Sequence, residues 1–219
     1  MLNKKQAGFT LVEIAIVLVI VGLLIGGVLK GQEMITNAKL KRLESDNAGI
    51  LAALYSYQDR YLQLPGDDNS AATRFTVYVD AGATNASGDG DGVIDGPWDE
   101  PPAGSPWSNV VTEESTKFFA HLRAAGLIAG GALEDTRPTN AFGGQIGIQD
   151  GALEMVGQIT IFGGIEGSIA AILDGRMDDG VQNTGRVRSQ IVGQPMLPTT
   201  TPSSVGYSDS ESYHMAFRL

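Results

Sequence analysis

Apolar positions are densest near the amino terminus, where a continuous run extends from Phe9 to Leu29 with only Thr10 and Glu13 as polar interruptions. A run of about 21 residues has the length at which an α-helix crosses the hydrocarbon core of a bilayer. The pattern therefore predicts a membrane-spanning helix over residues 9–29. Because a charged side chain in hydrocarbon is costly, Glu13 calls for a specific role.

Beyond this run, apolar residues recur three, four or seven positions apart, which is the spacing of an amphipathic helix. The spacing predicts that the same helix continues through residues 30–61, and Pro65-Gly66 provides the signal that ends it. Since an apolar stripe must be buried, we expect this half of the helix to pack on a globular head. The stripe comprises Leu40, Leu43, Ile50, Leu54, Tyr57 and Tyr61, with Asn47 in its gap.

Residues 62–219, here called the head, contain shorter patterns of both periods. The predicted elements are helices at residues 112–126 and 168–180, strands at residues 74–79 and 212–219, and a hairpin that turns at Asp150-Gly151. These elements predict an α+β domain in which an antiparallel sheet packs on the long helix. The expected shape is a ladle, with the apolar half of the helix as its handle.

The helix predicted at residues 112–126 contributes to the core of the head. Thr112 is its candidate N-cap, and Gly126 is a suitable residue to end it. Its apolar side chains Phe118, Phe119 and Leu122 are expected to face the core. His121 is interpreted as a surface residue of this helix.

Charge and composition exclude several classes of function. The chain has no cysteine, which rules out disulfides and cysteine-ligated zinc, and only two histidines. Residues 1–61 carry seven Lys/Arg and five Asp/Glu, whereas the head carries eight and twenty, a net charge of 8 − 20 = −12. Nucleic-acid binding requires basic surface, so no nucleic-acid partner is expected.

The apolar run has a short basic leader, which contains Lys4 and Lys5 and favours a cytoplasmic amino terminus. The other flank is also basic, so charge alone leaves the orientation open. A cleaved secretory signal peptide is the competing interpretation, but no polar break follows the run and the pattern continues as helix.

The stretch KKQAGFTLVEIAIVLVIVGLL resembles the amino terminus of type IV pilins and of type II secretion pseudopilins. The resemblance implies that residues 1–8 are a leader that prepilin peptidase removes after Gly8, and that Phe9 becomes the N-methylated first residue. It also implies that Glu13 neutralises the amino terminus of a neighbouring subunit in a filament, where an unpaired charge would be costly. Gly22 and Gly26 have the small-xxx-small spacing that permits close helix packing.

A glycine-rich acidic stretch in the head suggests calcium. Aligning Asp91-Gly92 with positions five and six of a calcium loop makes ligands of Asp89, Asp91, the Val93 carbonyl and Asp95, and turns Ile94 inward. The match is partial, because Ser87 stands first and Trp98 stands twelfth, so Asp99 or Glu100 would have to replace it. The alternative is a flexible acidic turn. A second acidic group, Asp174, Asp178 and Asp179, is interpreted as a solvated helix end, with a cation site as the alternative.

Two classes of function follow from these observations. The first is a structural subunit of a type IV pilus or type II secretion pseudopilus, not an enzyme. It would be anchored in the inner membrane by one pass with its head in the periplasm, and would assemble with other subunits in a periplasmic or extracellular filament. The second is a signal-anchored periplasmic enzyme or calcium-dependent binding domain, although no common catalytic motif is present.

Overall fold

A computed structural model describes residues 10–81, 86–99, 113–134 and 136–219. These residues form an α+β fold, as predicted, with a long amino-terminal helix and a four-stranded antiparallel sheet of order β1-β2-β4-β3. The helices are α1 (Leu11–Tyr61), α2 (Ala71–Arg74), α3 (Thr76–Ala81), α4 (Glu114–Ala124) and α5 (Gly167–Met177). The strands are β1 (Ile146–Ala152), β2 (Met155–Glu166), β3 (Val187–Ile191) and β4 (Ser212–Arg218).

The chain divides into two compact units, one ending at Lys41 and the other spanning Arg42–Leu219. In the first unit, α1 is the one helix among the described residues that is long and apolar enough to cross a membrane. Its apolar side chains from Leu11 to Leu29 are exposed on every side. A helix that is apolar all round is expected to be covered by lipid or by other helices.

In the second unit, the remaining part of α1 packs on the head through most of the predicted apolar stripe. Leu43, Leu54 and Tyr57 are buried, whereas Tyr61 is partly exposed. A hydrogen bond of 2.6 Å from Thr160 Oγ1 of β2 to Asn47 Oδ1 joins the sheet to the helix. Asn47 thus fills the gap in the stripe with a polar contact.

A second apolar cluster lies around the β1–β2 hairpin. Trp98, which precedes α4 in the chain, packs there with Ile159, Ile161 and Met196. The Trp98 backbone N–H donates to the side chain of Gln149 at 3.0 Å. This contact anchors the carboxyl-terminal end of the acidic stretch in the core.

The strand predicted at residues 74–79 is wrong, because these residues lie mostly in the short helices α2 and α3. Phe75 and Tyr78 are three residues apart and both are buried. Their rings meet edge to face at 5.7 Å, and Phe75 also packs edge to face on Tyr61 at 5.6 Å. These aromatic contacts favour the helical spacing over the strand preference of the local sequence.

The hairpin is confirmed but its turn lies elsewhere. Ala152 pairs with Met155, so Leu153 and Glu154 are the two turn residues, with φ of 50° and 64°. These angles are those of a type I′ turn. The N–H groups of both residues donate to the Leu197 and Pro198 carbonyls at 3.0 and 2.9 Å, which holds the turn, while Gly151 lies where the register of the strands shifts.

The predicted helices and last strand are confirmed, with shifts at their ends. Thr112 lies outside the described residues, and α4 begins at Glu114 after Glu113, whose side chain makes no capping hydrogen bond. Strand β3 was missed by the pattern analysis. The placement of His121 on the surface is wrong, because its ring is fully buried.

Candidate functional site

The processing residues Gly8 and Phe9 lie outside the described residues, so their roles stay predictions. Glu13 lies in the first turn of α1, where its carboxylate accepts hydrogen bonds of 2.8 Å from both the backbone N–H and the hydroxyl of Thr10. The Glu13 N–H in turn faces the Thr10 hydroxyl oxygen at 3.3 Å. This reciprocal arrangement is a capping box. Thr10 was not predicted as a partner of Glu13, although a threonine three residues before a glutamate is the usual sequence signal of a capping box.

Gly22 and Gly26 lie one turn apart on the exposed part of α1. A Cβ atom added at either position would meet no atom within 4 Å. The missing side chains leave a strip on the helix surface where another helix could approach closely. Their role in assembly stays a prediction.

The head contains a loop, residues 86–96, which we call the acidic loop. The carboxylates of Asp89, Asp91 and Asp95 are exposed and converge within 4.8 Å of one another. Asp89 Oδ1 accepts a hydrogen bond from the Asp91 N–H at 3.1 Å, and Asp91 Oδ1 accepts one from the Val93 N–H at 2.8 Å. Ile94 is buried, as expected for an inward apolar position.

Two buried carboxylates outside the loop hold it in place. The carboxylate of Asp67 accepts hydrogen bonds from the N–H groups of Gly90, Asp91 and Gly92 at 2.6, 3.1 and 2.8 Å. The carboxylate of Glu114, the first residue of α4, accepts from the N–H groups of Asp89 and Asp95 at 2.8 and 3.2 Å. Asp67, Asp89 and Glu114 place carboxylate oxygens within 4.8 Å of one another. Neither Asp67 nor Glu114 was predicted from the sequence as part of this site.

Burial shifts the pKa values of three ionisable side chains at the acidic loop. It raises the pKa of Asp67 and of Glu114, and the nearby carboxylates add to this rise, whereas the backbone N–H donors oppose it. Burial lowers the pKa of Lys117, whose ammonium donates to the Ser87 carbonyl at 2.7 Å, while the charges of Glu114, Glu113 and Asp89 act in the opposite direction. The carboxylates outnumber the positive charges beside them, so the group is chemically suited to bind a cation.

The first and twelfth positions of the calcium-loop alignment are less suited to bind an ion. Ser87 Oγ accepts a hydrogen bond from the Ala72 N–H at 3.0 Å, and Trp98 is buried in the apolar cluster. Asp99 is exposed, and Glu100 lies outside the described residues. Asp67 and Glu114 are therefore the additional carboxylates that the structure places at the acidic loop.

The second acidic group differs from its predicted description as a solvated helix end. Asp174 is fully buried and accepts hydrogen bonds from the Tyr207 hydroxyl at 2.7 Å and from the Gly180 N–H at 3.3 Å. Asp178 accepts from the backbone N–H groups of Arg186 and Val187. The carboxylates of Asp174, Asp178 and Asp179 lie within 4.8 Å of one another. Asp178 ties the end of α5 to the start of β3, and Asp174 ties α5 to Tyr207, which precedes β4.

His121 contacts the first residue of the acidic loop, and both of its ring nitrogens face backbone groups. Nδ1 accepts a hydrogen bond from the Gly66 N–H at 2.9 Å, and Nε2 lies 2.6 Å from the Ala86 carbonyl oxygen. The ring stacks on Tyr57 with an interplanar angle of 15°. Burial lowers the pKa of His121 to about 4. The histidine is therefore a neutral structural link between the two chain segments that flank α2 and α3.

One comparison with known proteins concerns the amino terminus. Residues 3–29 match the family model described as the prokaryotic N-terminal methylation motif. The chain therefore carries a prepilin-type motif, and the predicted resemblance to type IV pilins and pseudopilins is confirmed over these residues. Searches of curated proteins and of solved structures found no match. The motif implies processing by prepilin peptidase and assembly with other pilin subunits, and with α1 it fits a single-pass membrane anchor.

Proposed function

We propose that this chain is a structural subunit of a type IV pilus or a type II secretion pseudopilus, matured by prepilin peptidase and assembled through α1. The observation that carries the proposal is the methylation motif at residues 3–29, together with the start of α1 inside it, whose apolar side chains are exposed on every side. In a bilayer, lipid covers these side chains. In a filament, the same helices from neighbouring subunits cover one another. The head would lie on the periplasmic side.

The proposal assigns Glu13 two successive partners. Before assembly, Thr10 supplies both hydrogen bonds that the carboxylate accepts. In the filament, the methylated amino terminus of a neighbouring subunit supplies the opposite charge. A carboxylate has about four acceptor sites, so the second partner does not require the first to leave.

Processing is tested by sequencing the amino terminus of the protein from membranes of the native organism. We expect the mature chain to begin at Phe9 with a methylated amino group. Gly8→Leu should retain the leader, because a bulky side chain prevents close approach of the peptidase to the backbone, and Gly22→Leu is the matched glycine control. An intact leader in the unaltered protein, or cleavage near Lys30, would instead favour a signal-anchored periplasmic enzyme or binding domain.

We further propose that the head binds calcium at the acidic loop. The specific observation is two groups of three carboxylates that share Asp89, one with exposed Asp91 and Asp95 and the other with buried Asp67 and Glu114. Calcium takes six to eight oxygen ligands from carboxylates, backbone carbonyls and water. The donor set fits this preference, and the Val93 carbonyl is a candidate for a further ligand. Bound calcium would offset the repulsion between these carboxylates and fix the loop to α4.

Calcium binding is tested with a soluble fragment lacking residues 1–35. Calcium at a hundred times its dissociation constant stabilises a protein by about 2.7 kcal/mol. For a domain of this size we expect the melting temperature to rise by about 5–10 °C. Asp91→Ala and Asp67→Asn should remove most of this rise, whereas Asp59→Asn, an exposed carboxylate on α1, should leave it unchanged. Identical melting curves in chelator and in millimolar calcium would refute this proposal.

A further inference from the structure

Two arginines stand out among the cations of the head. Six of the eight Lys/Arg in residues 62–219 interact within their own chain, namely Arg74, Lys117, Arg123, Arg137, Arg176 and Arg188. The other two, Arg186 and Arg218, are exposed, and their guanidinium groups have no partner among the described residues. Unpaired cations are notable in a head with a net charge of −12.

The two arginines are also adjacent. Arg218 is the last residue of β4, and its N–H donates to the Arg186 carbonyl at 3.0 Å. Val187 pairs with Phe217, so Arg186 lies directly opposite Arg218 at the end of the β3–β4 ladder. Like charges opposite each other on neighbouring strands are destabilising. The nearby Asp178 carboxylate is engaged by backbone N–H groups. We call Arg186 and Arg218 the arginine pair.

The opposite end of β4 carries unpaired negative charge. Glu166 pairs with Ser212, the first residue of β4, and Asp209 and Glu211 lie in the turn just before it. All three side chains are exposed and make no hydrogen bond or ion pair within the described part of the chain. We call these three residues the acidic end. Since β4 has seven residues, the acidic end and the arginine pair are separated by about 20 Å.

We propose that the heads of successive copies of this chain dock end to end, with the arginine pair of one copy against the acidic end of the next. The inference rests on the proposed function, because it specifies a contact between filament subunits. Each guanidinium presents a planar fork of N–H donors that matches a carboxylate. The two surfaces differ and lie at opposite ends of one strand, so the contact is heterologous and can repeat without closing. This is the geometry that a filament requires.

The test uses two variants of the full chain. Arg186→Glu/Arg218→Glu makes both ends of the head acidic, and Glu166→Lys/Asp209→Lys/Glu211→Lys makes both ends basic. We expect each variant alone to lose filaments when subunit levels are matched in electron microscopy. Filaments should return when the two variants are expressed together, because acidic and basic heads can alternate. A chain that carries all five substitutions should also assemble.

Controls distinguish a loss of docking between heads from a loss of folding and from binding to a different partner. Arg186→Lys/Arg218→Lys retains the charge and should assemble, and unchanged melting temperatures of soluble heads establish that the variants fold. Normal filaments from either variant alone would overturn the docking proposal. Loss without rescue in the mixture would also overturn it, and would favour anionic lipid as the partner of the arginine pair. If the unaltered chain forms no filaments at all, the proposed function itself fails.

Discussion

Acidification should destabilise the head through His121, and a variant that cannot titrate should lack this effect. In the folded state the Gly66 N–H points at Nδ1 and the Ala86 carbonyl faces Nε2, so the neutral ring satisfies both groups. A proton on Nδ1 would place two donors against each other in a buried site. His121→Gln retains an acceptor and a donor but has no proton to gain.

The magnitude follows from the difference between the two pKa values. Burial lowers the pKa of His121 from 6.5 to about 4, so the unfolded chain binds the proton more readily. The histidine's contribution to stability is therefore fully present above pH 6.5 and is lost as the pH falls toward 4. This difference between the two pKa values corresponds to roughly 3 kcal/mol in total, most of which is lost by pH 4.5.

The assay is urea unfolding of the soluble fragment in chelator, followed by tryptophan fluorescence at several pH values between 7.5 and 4.5. Asp67 and Glu114 have raised pKa values and act in the opposite direction, because their contribution increases as the pH falls. His214 also has a pKa lowered by burial. These groups are common to both proteins, so the difference between unaltered fragment and variant isolates His121. Parallel stability curves over this pH range would refute the reasoning.

Two further predictions concern α1. Glu13→Val should insert normally in the membrane but form few or no filaments, and normal filaments at matched subunit levels would show that Glu13 is dispensable for assembly. Leu62, which follows α1, has a φ of 56° and is 87% exposed. Leu62→Gly should therefore raise the stability of the soluble fragment by about 1 kcal/mol in urea unfolding, because glycine adopts this conformation without strain. Leu62→Ala, which also removes the exposed side chain but retains the strain of a positive φ, is the matched control and should not raise the stability.

The elements that could be predicted from the sequence are those whose signal is local. The apolar run, the stripe through Leu43 and Tyr57, and the alternation in β4 each identify an element from its own residues. The misplaced hairpin turn and the missing strand at residues 74–79 have tertiary causes. The β1–β2 turn is held by the Leu197 and Pro198 carbonyls, and the helical course of α3 is favoured by packing of Phe75 and Tyr78.

The residues of the candidate site also separate into those with a local sequence signal and those without one. Asp89, Asp91 and Asp95 are close in sequence and are separated by glycines, so their convergence could be predicted from spacing. Asp67 and Glu114 lie more than 15 residues away on either side, and a single sequence gives no signal that links them to the loop. His121 was placed on the surface because the core face of its helix was assigned to Phe118, Phe119 and Leu122. In the structure, Ser115, Thr116 and Lys117 of that helix are themselves buried.

The buried carboxylates of Asp67 and Glu114 explain how a head without disulfides can hold the long segment between α1 and α4 in place. The described residues between the end of α1 and the start of α4 form only the short helices α2 and α3, and such a segment gains stability when its ends are tied. Asp67 stands near the first end and Glu114 at the second, and both accept hydrogen bonds from the acidic loop between them. A hydrogen bond to a charged group contributes about 1.5–3 kcal/mol, but burial of each carboxylate opposes part of that gain. Calcium would remove this opposition, so the acidic loop should depend on the cation more strongly than the sheet, which is held by apolar packing.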